Sequence, residues 1–296
     1  MGRPVTPGPG SADQLAVTVV IPARNAAATI DEQLAALAAQ VHGNDVEVIV
    51  VDNDSVDDTA ARALRWRDRI DGLRVVQAGT PYCVAHGRNV GFTEARHDIV
   101  LVCDADDVVG PSWIETMTGA LLGADIVGGG TVHWRGGALP AGVPSAFGTG
   151  GFGFLDSFIG CNFGTRRSVW RAIDGFDEEL SSCEDVDFAW RAQLDGFRLV
   201  TVPDAFVYYR VDSAPSHVFR KWRHYGVDQP VLYRRYAAAG MPRQRVHRSL
   251  ARYAILVATS YRLVLGSPSA RERWMQEAGR RVGRLIGSVR SGTVYL

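Results

Sequence analysis

Ile99-Val100-Leu101-Val102-Cys103-Asp104-Ala105-Asp106-Asp107 joins five apolar residues to a cluster of acids. A short β-branched run without alternation reads as a strand buried on both faces. The acids then leave at its C-terminal end, the edge at which open α/β sheets bind ligands. In extended chain, residues two apart point the same way, so Asp104 and Asp106 are expected to face one point in space. Two carboxylates converging there repel unless a cation lies between them. Hard oxygen donors suit Mg2+ or Mn2+, ions that often hold phosphates. A polar strand-to-loop turn is the plainer alternative, because Asp is common in turns.

Outward from this stretch, strands and helices alternate. Residues 17–21, 46–51, 73–76 and 99–103 read as strands, and 125–127 as the start of a fifth. Between them, residues 26–39 form a helix with Ile30, Leu34, Leu37 and Ala38 on one face. A second helix, capped by Asp57 or Asp58, runs to Arg69, and a third spans 84–94. Pro111 suits the first turn of another helix. This order predicts an α/β fold with a doubly wound, mostly parallel sheet. Residues 135–153, rich in Gly, Pro and Ala, break the pattern; a loop of that length is expected to be functional or mobile. Beyond it come residues 161–165, a helix over 167–173, an acidic stretch over 177–187, and short strands at 197–200 and 205–209.

Charge divides the chain. Lys and Arg total 32 and so do Asp and Glu, for a net charge of zero. Residues 1–216 hold 16 basic and 29 acidic residues, and residues 217–296 hold 16 basic and 3 acidic, balances of −13 and +13. The expected organisation is a disordered N-terminus over 1–15, one α/β body over 16–212, and a helical, basic C-terminal extension over 213–296. Cys83, Cys103, Cys161 and Cys183 form no C-x-x-C pair and no zinc spacing, which fits reduced thiols in a cytoplasmic protein. No apolar signal core is present, and the best candidate span, residues 253–265, is short and interrupted by Arg262.

Polar groups recur at the ends of the predicted strands. Pro22-Ala23-Arg24-Asn25 follows the first and Asp52-Asn53-Asp54-Ser55 the second; Gly87-Arg88-Asn89-Val90-Gly91 lies in the third helix. Together with Asp104-Ala105-Asp106-Asp107 they line one edge of the sheet. Asp and Asn side chains there can bond a base and a ribose, and a guanidinium fork at Arg88 suits a diphosphate. A surface helix position is the alternative for Arg88.

The ordered set resembles the nucleotide-sugar-binding half of inverting glycosyltransferases of family 2, which have the GT-A fold, over residues 16–212. Pro22 and Asn25 match the family's Pro-x-x-Asn. Asp52-Asn53-Asp54-Ser55 stands where the family usually has Asp-Asp-Gly-Ser or Asp-Asn-Gly-Ser. Arg88, Asn89 and Gly91 match Arg-Asn-x-Gly, and Asp104 and Asp106 match Asp-x-Asp. The resemblance implies a nucleotide-sugar site at Pro22, Ala23, Arg24, Asn25, Asp52, Asn53, Arg88, Asn89, Asp104 and Ala105. It implies Asp106 as direct ligand of Mg2+ or Mn2+, with Asp104 on ribose or metal-bound water. Asn53 replaces the acid that often binds uracil, so UDP, GDP and dTDP all stay open as donor nucleotides.

A second set resembles the family's acceptor side: Gly160 to Arg167, then Gly175-Phe176-Asp177, then Glu184-Asp185. There one of the Glu-Asp carboxylates acts as general base, here Asp185 with Glu184 second. A sugar hydroxyl must lose a proton as it attacks the anomeric carbon, and a nearby carboxylate can take it. Asn162 and Trp134 are the acceptor-side candidates. The structural alternatives are a capping box, Ser181-x-x-Glu184, and an ordinary surface pair, Asp187 with Arg191. Trp134, Phe152 and Phe154 can stack on a sugar or pack in the core. His217 is the candidate third metal ligand, with a surface position as its alternative.

The expected function is therefore metal-dependent, inverting transfer of a sugar to a glycan, a lipid-linked sugar or a small molecule. The alternatives are a non-catalytic nucleotide-sugar-binding or scaffold protein, and a sugar nucleotidyltransferase. The latter needs a Gly-rich basic loop after the first strand, and residues 22–26 contain no Gly. The basic tail suits packing against the acidic body, contact with an anionic membrane at its inner face, or a homodimer. No nucleic-acid motif accompanies its charge.

Overall fold

The computed structural model describes residues 16–40, 45–146, 152–211 and 214–296; the expected disordered N-terminus lies outside them. The first half alternates as expected: β1 (Val17–Ala23), α1 (Ile30–Ala38), β2 (Val46–Asp52), α2 (Thr59–Leu64), β3 (Leu73–Gln77), α3 (Val84–Glu94) and β4 (Ile99–Cys103). These strands lie parallel in the order β3-β2-β1-β4. Helix α1 starts at Ile30, four residues later than the expected start at residue 26, because residues 27–29 form a turn. Asp58 takes the N-cap position of α2 without a side-chain bond; Asp57 instead accepts the Thr59 N–H at 3.1 Å.

The second half is mixed. It contains β5 (Val108–Val109), α4 (Trp113–Ala120), β6 (Ile126–Trp134), β7 (Ser145–Ala146), β8 (Asn162–Arg166), α5 (Arg167–Ala172), α6 (Glu184–Leu194) and β9 (Leu199–Arg210). The sheet continues β4-β8-β6-β9-β5, with β7 beside β6. β8 runs antiparallel to both β4 and β6, whereas β6 and β9 are parallel. The two short strands expected near residues 197–209 are one strand with a bulge. As β6 steps from Gly129 to Gly130, β9 passes from Val202 to Phe206. Pro203 lacks an N–H for the ladder and sits in the displaced segment. The glycines opposite are required: a Cβ at Gly129 would stand 2.2 Å from the Ala205 carbonyl, and one at Gly130 2.3 Å from that of Pro203.

Alternation along the strands builds two cores. Val19, Ile21 and Leu101 face α1 and Trp113 on one side. Val20, Val100 and Val102 face Phe92, Phe163, Phe176 and Phe188 on the other. The C-terminal region comprises α7 (Pro215–Val227), α8 (Gln229–Tyr236), α9 (Val246–Ala258), α10 (Arg262–Leu265) and α11 (Pro268–Ser291). It docks on the body through a third cluster, in which Trp190 meets Leu232, Tyr236 and Tyr295. Asp187 on α6 is fully buried there, with bonds from Arg191, Arg235 and the Tyr236 hydroxyl. The Asp187–Arg191 pair is thus an anchor for the tail, not a surface pair.

Helices α7 and α11 meet backbone to backbone. A Cβ at Gly283 would lie 2.1 Å from the Arg223 carbonyl, one at Gly279 2.5 Å from that of Phe219, and one at Gly287 1.9 Å from that of Val227. Gly→Ala inside a helix ordinarily gains about 1 kcal/mol. For Gly283→Ala the clash reverses that sign, and chemical denaturation is expected to show a net loss of about 2 kcal/mol. Gly119→Ala in α4, where nothing lies within 4 Å of the added carbon, is the control and is expected to be neutral or stabilising.

Candidate active site

The polar ends of β1 and β2 are locked to each other. The backbone N–H of Asn53 donates to the Ala23 carbonyl at 2.8 Å, continuing the ladder. Asn25 takes a left-handed conformation at φ 52°; its N–H reaches Ser55 Oγ and its Oδ1 accepts the Val56 N–H at 3.0 Å. Asp52 is buried, accepting the Ser55 N–H and Gln77 Nε2. Asn53 donates through Nδ2 to the carbonyls of Cys83 and Pro81, which leaves its buried Oδ1 without a protein partner. Arg24 stacks on Tyr82 at 4.4 Å, and Pro22 abuts Gly87, where a Cβ would meet it at 3.3 Å.

Arg88 is buried, neither on the surface nor free. Its Nη1 donates to Glu184 Oε1 at 2.6 Å, and its Nη2 lies 3.7 Å from Asp104 Oδ1. The rings of Phe163 and Phe176 flank it, and a Cβ at Gly160 would strike its guanidinium at 2.5 Å. One cation thus ties the end of β4 to the start of α6. It faces three carboxylates, Asp104, Glu184 and Asp185. Burial and this shortage of positive charge raise Asp104 to about 6, with Arg88 opposing and Asp106 and Glu184 adding to the rise.

Asp185 follows Glu184 in the first turn of α6. Its Oδ2 accepts the Gly160 N–H at 2.7 Å and its Oδ1 the Val186 N–H at 2.8 Å. Both bonds favour the anion, yet burial and then the neighbouring Glu184 charge outweigh them and lift it to about 7. The capping box is absent: the N-cap is Cys183, at φ 60°, and it makes no side-chain cap bond. Ser181 Oγ and the Ser182 N–H bond Asp228 Oδ2 instead, each at 2.7 Å. The C-terminal helices therefore hold the turn that aims the acid pair.

Asp104, Arg88, Glu184 and Asp185 share the wall of a cavity of about 1580 Å³ that runs between the body and α7 and α11. His217 of α7 lines it too, as do His133, Tyr209 and Lys221. Lys221 is the only lysine in the chain; its ammonium meets the Tyr209 hydroxyl and lowers the Asp104 pKa. Lys221 escaped the sequence reading because no motif marks it, although its uniqueness among 32 basic residues is a signal.

The carboxylates after β4 are arranged differently from the extended-chain expectation. The strand stops at Cys103 and the chain turns at Ala105 and Asp106. Asp104 faces the cavity with Oδ1 unpartnered, Ala105 is buried, and Asp106 is exposed. Asp107 is buried, accepts the Arg210 N–H at 2.8 Å, and is driven well above its usual value by burial. Ligand atoms of Asp104, Asp107 and Cys161 all lie within 4.8 Å of one another. Burial also raises the Cys161 thiol, so it is a soft, protonated group and a poor partner for Mg2+ or Mn2+. The orphaned Asp104 oxygen beside the exposed Asp106 carboxylate fits a hard cation better.

Three sequence-predicted residues serve the fold. Asn89 uses every hydrogen-bonding position on protein: Oδ1 accepts from Trp170 Nε1 and the Phe176 N–H, and Nδ2 donates to the Phe176 carbonyl and Glu178. It has no capacity left for a nucleotide. Asn162 is fully buried and bonds Trp113 and the carbonyls of Gly130 and Ala205, clamping the bulge and not an acceptor. Trp134 is buried with the Arg210 guanidinium 4.1 Å over its ring, while its neighbours His133 and Arg135 line the cavity. Phe152 and Phe154 pack edge-on against Trp190. Of the loop over 135–153, residues 147–151 lie outside the described residues.

Residues 18–173 match the model of glycosyl transferase family 2, and residues 99–275 that of glycosyl transferase family group 2. The chain belongs to glycosyl transferase family 2. Validoxylamine A glucosyltransferase of Streptomyces hygroscopicus subsp. jinggangensis is 33% identical over 108 residues, 36% of this chain and 26% of that protein. The uncharacterized protein y4gI of Sinorhizobium fredii is 24% identical over 230 residues, 68% of this chain and 25% of that protein. The chain thus spans about a quarter of the length of these relatives. In fold it resembles the mannosyltransferase PcManGT of Pyrobaculum calidifontis, solved with GDP-Man and Mn2+, at TM-score 0.62 and 19% identity over 96% of this chain and 90% of that one. S. aureus TarS 1-349 in complex with UDP aligns at 0.56 and 20% over 94% and 92%. The fold is that of the GT-A glycosyltransferases.

The raised Asp185 has a consequence for stability. Its native form binds a proton up to about pH 7, whereas the unfolded form releases it near 3.8. Native protein therefore holds more protons across that window, and stability contributed by the protonated group is lost as pH rises through it. Asp185→Asn is expected to be more stable than wild type at alkaline pH, with the gain vanishing below the ordinary carboxylate range. Thermal melts across pH measure it; an equal gain at all pH would remove Asp185 as the cause.

Proposed function

We propose that this chain transfers a sugar, with inversion, from a nucleotide diphosphate sugar to an acceptor hydroxyl, and that Asp185 is the base. One observation carries the reading. Glu184 and Arg88 connect Asp185, on the cavity wall and tuned to about 7, to Asp104 on the donor edge. The solved neighbours that hold GDP-Man, UDP and UDP-GlcNAc support a donor of that class.

The nucleoside lies against Pro22 to Asn25, Asp52 and Asn53, where the unpartnered Asn53 Oδ1 accepts an N–H of the base. The diphosphate lies toward Asp104 and the ammonium of Lys221. Asp104 and Asp106 would hold Mg2+ or Mn2+, and such an ion offsets charge on a leaving diphosphate. Asp185 receives the proton of the acceptor hydroxyl as that oxygen attacks the anomeric carbon. The bond to the diphosphate breaks on the opposite face. Arg88 positions both carboxylates without touching the diphosphate. The acceptor is a glycan, a lipid-linked sugar or a small molecule.

Calorimetry with UDP, GDP and dTDP, each with and without Mn2+, tests the donor site. Binding of one nucleotide is expected to need the metal and to be lost in Asp106→Ala. Folded wild type that binds none of them would overturn the assignment. Asp185→Asn is expected to keep nucleotide binding and lose at least about a hundredfold in turnover. Wild-type activity should rise with pH through about 7 as Asp185 ionises, and Glu184→Gln, which removes the adjacent negative charge, should move that limb downward. Nucleotide binding without turnover would favour a binding protein, and turnover that Asp185→Asn leaves intact would remove Asp185 as the base.

A further inference from the structure

Helix α9 and the short α10 that follows it are held against α11 and the C-terminus along one side. On that inner side Ser249 Oγ donates to the Leu296 carbonyl at 2.6 Å and Tyr253 donates to that of Arg281 at 3.2 Å. Trp274 Nε1 donates to the Leu256 carbonyl at 3.0 Å. The other side is apolar and open. Leu250, Ala254, Val257 and Ala258 recur at i, i+4, i+7 and i+8, the spacing of one helical face, and all are exposed. The tip continues it: Val264 is 75% and Leu265 81% exposed. Apolar groups of this size gathered on an open surface mark a contact site.

Charge decides the occupant. From Arg243 to Arg271 the chain carries six arginines and no carboxylate. Arg248 borders this face beyond the exposed Ile255 and Arg262 lies at its tip, both exposed, whereas Arg252 turns toward Glu277 of α11. A second copy would bring the same patch against itself, setting arginines opposite arginines with no acid to meet them. A bilayer rich in anionic lipid offers acyl chains to the leucines and valines and phosphates to the arginines. No helix among the described residues is long and apolar enough to cross a membrane, so the contact is one of lying in the interface.

We infer that the α9–α10 segment seats the protein on an anionic membrane surface through Leu250, Val257, Val264 and Leu265, with Arg248 and Arg262 on the lipid phosphates. This stands independently of the sugar-transfer reading. The test is co-flotation of the full chain with vesicles of phosphatidylcholine, alone or mixed with phosphatidylglycerol. Binding is expected on the mixed vesicles only, weakened by salt, and lost in Leu265→Asp. The Arg248→Gln, Arg262→Gln double variant, which leaves the apolar face intact, is expected to bind about thirtyfold more weakly, at about 1 kcal/mol per charge. Nucleotide binding by both variants should match wild type, which separates failure here from failure at the donor site. Folded wild type that ignores anionic vesicles overturns the inference. So does a concentration-dependent dimer abolished by Leu265→Asp without any vesicle binding, which would assign the face to a second copy.

Discussion

A buried guanidinium governs this molecule. Arg88 projects from α3 into the seam where the parallel half of the sheet meets β8 and α6. A charge so placed is costly unless it is paired, and a single missing partner costs about 3–5 kcal/mol. Arg88 finds Glu184 closely and Asp104 more distantly. Those two partners lie eighty residues apart in sequence and on opposite sides of the cavity floor. Satisfying one cation therefore fixes the distance between the end of β4 and the start of α6. Gly160 has to be glycine so that the guanidinium fits beneath it, and its freed N–H then holds Asp185.

The first turn of α6 spends its three acids in three directions. Glu184 goes to Arg88, Asp185 to the cavity, and Asp187 inward to Arg191, Arg235 and Tyr236. A helix N-terminus favours negative charge, so clustering them there is tolerable. The turn before it is not relaxed, because Cys183 is held at φ 60°. Its bonds come from the tail: Asp228, between α7 and α8, accepts from Ser181 and Ser182. The C-terminal helices are thus part of how the site is built, with Asp187 and Asp228 as the two fixings.

What the sequence made legible follows the range of each interaction. The parallel half was readable because its signals are local: apolar runs of five to seven residues, bounded by turn formers, with amphipathic helices between. Asp104 and Asp185 were readable as members of ordered motifs. The single strand β9 was not, since Pro203 and the glycines across from it look like breaks until they are seen facing one another. Asn89 and Asn162 looked like ligand-binding amides because an amide reads alike whether its partners are a nucleotide or four backbone and side-chain groups of its own protein. Arg88 was misjudged for the same reason: nothing local to α3 tells that Glu184, ninety-six positions on, will take it.

The same accounting explains why the cavity carries carboxylates of raised pKa at all. Three acids share one buried cation, so at least one must remain poorly compensated. Glu184 holds the short bond to Arg88, and the deficit falls on Asp104 and Asp185. Asp104 lines the cavity with its buried Oδ1 3.7 Å from Arg88 and without a hydrogen bond. Asp185 feels Arg88 only in part, and burial with the adjacent Glu184 charge outweighs it, so its deficit appears as affinity for a proton. The unpaired charge is a cost to folding, offset by the aromatic packing of Phe158, Phe163, Phe176 and Phe188 directly behind it. The raised carboxylates are what remains of an ion network in which three acids share one buried cation.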